Sequence, residues 1–68
     1  MFNLINVSFY YKIKNGEDQF TMILGSYYGD EVVEKNLYFE VRYEKRCIGL
    51  IFKNSNIIIK KDSEVIYE

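Results

Sequence analysis

Over residues 5–13 the chain alternates. Ile5, Val7, Phe9, Tyr11 and Ile13 are apolar, while Asn6, Ser8, Tyr10 and Lys12 between them are polar or amphipathic. A period of two is the mark of a β-strand with one buried face, because successive side chains point to opposite sides. The strand ends in "KNGE", where Asn15-Gly16 predicts a two-residue hairpin turn, since both residues tolerate positive φ. Such a turn sets Lys14 opposite Glu17, Tyr11 opposite Phe20, Phe9 opposite Met22 and Val7 opposite Leu24. Turn and pattern agree, and a one-residue slip would send every apolar side chain to the wrong face.

The stretch "GSYYGDEVVEKN" interrupts the alternation and reads as a loop or as one short helical turn over residues 30–35, capped by Asp30. Alternation resumes at Leu37, Phe39, Val41 and Tyr43. A reversal at Glu44-Lys45 places Val41 opposite Ile48, Phe39 opposite Leu50 and Leu37 opposite Phe52. A turn at Asn54-Ser55 then sets Phe52 opposite Ile57 and Leu50 opposite Ile59. A last one at Asp62-Ser63 brings Ile66 beside Ile59 and Lys61 across from Glu64. The expected fold is all-β: a small antiparallel sheet or barrel of about six strands, made of an N-terminal hairpin and a four-stranded meander. Gly25 is expected at a bulge or bend, and Gly49 at a close approach within the sheet. Sixty-eight residues make one small domain, near the lower size at which a chain buries enough apolar surface to fold alone.

Three consecutive isoleucines, Ile57, Ile58 and Ile59, raise the question of the sheet's second face. With the registers above, Tyr38, Ile51, Ile58 and Tyr67 form an apolar row across four strands, bordered by Glu40, Lys60 and Arg42. The matching face of the hairpin is mostly polar, with Ser8, Lys12, Gln19 and Thr21 beside Tyr10 and Ile23. Two readings of the row follow. It is core, if the sheet curls into a barrel or the "SYYGDEVVEKN" segment folds across it. Otherwise it is an interface to which Tyr10, Tyr27 and Tyr28 add contacts, and open sheet edges offer a second route to a partner.

Composition narrows the function classes. With 49% hydrophobic and 18% aromatic residues the chain is too apolar for disorder. Nine basic residues are interspersed among ten acidic ones for a net charge of −1, which gives no general attraction to nucleic acid or anionic membranes. The single Cys47 forms no internal disulfide and suits a reducing cytoplasm. The N-terminal stretch lacks the features of a signal peptide, and no apolar run approaches the roughly 20 residues of a spanning helix.

Histidine is absent, so neither a Cys-His pair nor a Ser-His-Asp triad can be assembled. Glu17-Asp18, Asp30-Glu31 and Glu34 lack the spacing of a calcium loop. The "GSYYG" stretch lacks the lysine of a phosphate loop. Cys47 reads as a small packing residue. No enzymatic activity, metal or cofactor is expected.

The chain has no Ala and no Pro and is rich in Ile, Lys, Asn, Tyr and Phe, as an AT-rich genome encodes. The expectation is a cytoplasmic protein-binding module, of the kind a phage or mobile element uses as an inhibitor or accessory factor against a host protein. One alternative is a small barrel that stacks single-stranded nucleic acid on Tyr10 and Tyr38 and follows its backbone with Lys12, Lys53, Lys60 and Lys61. The other is a structural homo-oligomer, in the simplest case a homodimer.

Overall fold

A computed structural model describes residues 3–68. The described residues form seven strands: β1 (Ile5–Asn15), β2 (Asp18–Gly29), β3 (Glu31–Glu34), β4 (Tyr38–Tyr43), β5 (Arg46–Phe52), β6 (Ile57–Lys61) and β7 (Glu64–Tyr67). They form two antiparallel sheets, one in the order β2-β1-β6-β7 and one in the order β3-β4-β5. The fold is all-β, as the alternation predicts. It is two sheets that do not close into a barrel, and the expected helical turn at 30–35 is instead the strand β3. The β-branched Val32 and Val33 favour extended backbone, and Val32 pairs with Val41 and packs against the core.

The first hairpin turns at Gly16-Glu17, one residue later than expected. Gly16 has φ +65° and Glu17 does not share the positive value, the pattern of a type II′ turn with glycine in its first loop position. The register therefore moves by two, and Ile13 meets Phe20 while Tyr11 meets Met22. An even shift keeps the apolar residues of both strands on one face. Tyr10 then pairs with Ile23 and Phe9 with Gly25, leaving Leu24 as a bulge. That extra residue flips the rest of β2, so Tyr27 joins Val7 on the inner face. Gly25 sits beside the bulge, as expected, and a Cβ there would lie 3.1 Å from the Phe9 ring.

The Glu44-Lys45 turn forms where expected, with φ values of 52° and 65°. Beyond it, Arg42 pairs with Cys47 but Val41 pairs with Gly49, so Ile48 is bulged out. The expected pairs Val41/Ile48, Phe39/Leu50 and Leu37/Phe52 do not form. Ile51 takes the core position opposite Phe39, while Leu50 and Phe52 turn outward. Gly49 does mark a close approach, but between the two sheets and not within one, since a Cβ there would lie 2.6 Å from the Tyr27 ring of β2.

The largest correction concerns β6, which does not pair with β5. Asn56 N–H donates to Asn54 Oδ1 at 2.8 Å and Ile57 N–H to Asn54 O at 3.3 Å. This tight turn sends the chain to the other sheet, where Phe9 meets Ile59, Tyr10 meets Ile58 and Tyr11 meets Ile57. Lys12 N–H to Asn56 O at 2.8 Å and Asp62 N–H to Asn6 O at 2.6 Å extend the ladder at both ends. The four-stranded meander is thus divided between two layers. In the last hairpin Lys61 meets Glu64 as expected, but a bulge at Ile66 leaves Tyr67 opposite Ile59.

The core lies between the layers. Val7, Ile57 and Ile59 come from the larger sheet and Phe39, Val41 and Ile51 from the smaller, all buried. Phe9 stacks on Tyr27 with ring centroids 5.8 Å apart, and Phe39 meets Tyr67 edge-on at 6.0 Å. Lys53 closes one end: its Nζ lies 2.7 Å from the Glu34 carboxylate and 5.2 Å and 5.8 Å from the centroids of Phe39 and Tyr67. The lysine stem covers apolar surface while its charge is matched by the carboxylate and the ring faces.

Candidate functional site

The expected row of Tyr38, Ile51, Ile58 and Tyr67 does not exist as a surface. Tyr38 lies on the outer face of the smaller sheet, opposite Phe52. Ile51 is core, at 3% exposure. Ile58 faces outward from the larger sheet, opposite Tyr10. Tyr67 points inward against Phe39. The transfer of β6 to β1 separates Ile58 and Tyr67 from Tyr38, and the Ile48 bulge turns Ile51 inward.

Of the remaining candidates, Tyr10 is brought together with Ile58 and Ile23 on the outer face of the larger sheet, and Lys60 Nζ lies 5.1 Å from the Tyr10 ring centroid. Tyr27 is half-buried in the stack on Phe9. Tyr28 is exposed and sits at the register position of Asn6.

The same bulge builds a surface that the period-two pattern does not reveal. On the outer face of β3-β4-β5, Tyr38 pairs with Phe52, and the next row runs Val33, Glu40, Leu50. The third row is Glu31, Arg42, Cys47. The Tyr38 and Phe52 rings are 5.6 Å apart and tilted by 59°. Phe52 is 60% and Leu50 44% exposed, so two large apolar side chains project from a paired, rigid backbone.

Arg42 bridges the polar end of this face, bonded to Glu40 through Nε and 4.0 Å from Glu31 through NH1. The hydrogen bond to Glu40 raises the guanidinium above its ordinary value, and the charges of Glu40 and Glu31 add to it. An arginine stays charged throughout the working pH range in any case, so this rim is not a pH switch. Two carboxylates share one cation, which leaves the rim with one net negative charge.

Sequence reasoning placed Leu50 and Phe52 in the core row because the run from Ile48 to Phe52 has apolar residues on both parities. The available warning was Gly49, since glycine inside a strand often accompanies a bulge. Cys47 is also exposed instead of packed, with Sγ 3.6 Å from Gly49 O. Among the described residues no pocket is found, and no three His, Cys, Asp or Glu side chains are grouped to hold a metal. No protein-family model, curated protein or solved structure matches the chain.

Proposed function

We propose that the protein is a non-enzymatic protein-binding module whose contact surface is the outer face of β3-β4-β5. The observation that carries this reading is the exposure of Phe52 and Leu50 beside Tyr38 on one ordered face, edged by the Glu31-Arg42-Glu40 chain. Protein interfaces favour this arrangement, with aromatic and aliphatic anchors at the centre and a polar rim around them.

Magnitude decides what the patch can do alone. Burying the exposed parts of Phe52, Leu50 and Tyr38 contributes about 2–5 kcal/mol gross, whereas association costs about 4–15 kcal/mol. The anchors therefore need help, and β5 offers it as an edge strand of its sheet. A partner strand added to β5 would form main-chain hydrogen bonds while its side chains meet Leu50 and Phe52. Small size and AT-rich composition favour a phage or mobile-element inhibitor or accessory factor that engages a host protein in this way.

The test compares immobilised wild-type protein with Phe52→Glu, each verified as folded by circular dichroism, in bacterial extract and then with the purified partner. Phe52→Glu is expected to weaken that complex at least tenfold, about 1.4 kcal/mol. A folded variant that binds the same partner with unchanged affinity contradicts the assignment.

The single-strand reading is weaker, because its side chains are divided. Tyr38 belongs to the smaller sheet and Lys53 directly follows its strand β5, whereas Tyr10, Lys12 and Lys60 belong to the larger. Lys53 pairs with Glu34 and Lys60 lies over Tyr10. Salt-sensitive binding in an oligonucleotide titration would reverse this preference.

A further inference from the structure

The β1-β2 hairpin is longer than the body it belongs to. β6 pairs with β1 only over residues 7–11, and the core cluster takes Ile5, Val7, Phe9 and Tyr27 from this hairpin but nothing from residues 11–24. The distal part is an overhang, and the molecule measures 45 × 26 × 16 Å.

The overhang is amphipathic. Ile13 pairs with Phe20 and Tyr11 with Met22, on the face that continues the inner face of Val7 and Phe9. These four side chains are between 38% and 53% exposed. The opposite face carries Lys12 across from Thr21 and Lys14 across from Gln19, with Ile23 beside Tyr10 where the overhang meets the body. An apolar sheet face needs a second layer, and the smaller sheet supplies that layer only over the base of the hairpin.

We infer that the missing layer is the same overhang of a second copy, packed face to face about a two-fold axis with the two hairpins antiparallel. Three features favour this occupant over an unrelated protein. The smaller sheet already fills the layer over the base, so a covering element must enter from the free end and be one sheet thick, and a partner's overhang meets both conditions. An antiparallel two-fold lays Tyr11 over the partner's Ile13 and Met22 over the partner's Phe20, each ring against an aliphatic side chain, and a two-fold contact must be self-complementary in this way. The charged residues of the overhang, Lys12, Lys14, Glu17 and Asp18, sum to zero, so two copies approach without net repulsion.

The area is consistent. The chain exposes 5080 Å², against about 4,500 Å² for a compact monomer of this mass. The excess of about 600 Å² reflects the whole extended shape, and two copies that each covered it would bury about 1,200 Å² together, the lower end of specific interfaces. This interface does not use the face proposed above, which stays open in the dimer.

The test is solution mass by light scattering across a concentration series. Wild type is expected to rise from 8.2 kDa towards twice that mass. Phe20→Lys should remain monomeric, and Thr21→Lys, on the opposite face of the same strand, should dimerise as wild type does. A dilution series by NMR reads the same interface without any variant, with shift changes expected at Tyr11, Ile13, Phe20 and Met22, and it decides alone if Phe20→Lys fails to fold.

A wild type that stays monomeric to millimolar concentration overturns the inference. So does a dimer that survives in folded Phe20→Lys, or one that Thr21→Lys breaks equally, which would point to pairing along the β2 edge. Dilution shifts at Tyr38, Leu50 and Phe52 instead would overturn it and would show the other face to be a self-interface.

Discussion

Gly49 shows how one residue sets the spacing of the two layers. The Tyr27 ring occupies the space a side chain would need, and that ring is itself held by its stack on Phe9. Gly49→Ala is therefore expected to destabilise the fold by about 1–3 kcal/mol, the usual cost of overpacking. In a chain of this size that lowers the melting temperature by roughly 4–8 °C per kcal/mol. Urea denaturation checks the prediction through a lower midpoint at unchanged slope, and a loss under about 0.5 kcal/mol would mean that the ring moves aside freely.

At this scale the sequence was partly legible. Gly25 and Gly49 announced a bulge and a close approach through the absence of a side chain. The inward turn of Ile51 had no such mark, because Leu50 and Ile51 are equally apolar and only the packing of the second layer chooses between them.

Elements were easier to recognise than their registers. Strands β1 and β4 follow from alternation and β6 from its run of three isoleucines, and the Glu44-Lys45 turn follows from centring the apolar pairs around it. That turn is chemically unfavourable, since both residues carry positive φ, a region that L side chains resist. Glu44→Asn combined with Lys45→Gly is expected to stabilise the protein by about 1 kcal/mol, because Asn-Gly prefers this turn geometry. Thermal unfolding would show it, and an unchanged or lower midpoint would contradict it.

Bulges at Ile48 and Ile66 account for the register differences of the second and last hairpins, and the bulge at Leu24 adds to the shift that the turn at Gly16-Glu17 already makes in the first. Each lies where apolar residues occupy both parities, in "MIL", "IGLIF" and "VIY". There the pattern fits two registers equally. β3 carries too weak a signal for a related reason: four residues are too few to establish a period, and its flanking carboxylates resemble the start of a helix.

For the whole molecule, the decisive choice is the partner of β6. Its inward pair Ile57 and Ile59 can continue the row of Leu50 and Phe52 or that of Phe9 and Tyr11, and the local alternative closes the shorter loop. The structure takes the distant one, because pairing with β1 buries Ile57 and Ile59 between two layers. A single meander offers no second layer to bury Ile57 and Ile59, whereas Ile58 faces outward from the larger sheet as it stands.

That choice also sets the surfaces proposed above. It disperses the expected row of Tyr38, Ile51, Ile58 and Tyr67, leaves the outer face of the smaller sheet open around Phe52, and leaves the hairpin overhang without a second layer. Both proposals therefore depend on β6 lying beside β1. Backbone NOEs test this most directly. Cross-strand contacts joining Ser8 with Lys60 and Tyr10 with Ile58 are the predicted result. Contacts joining Leu50 with Ile59 and Phe52 with Ile57 would restore the continuous meander and contradict the account.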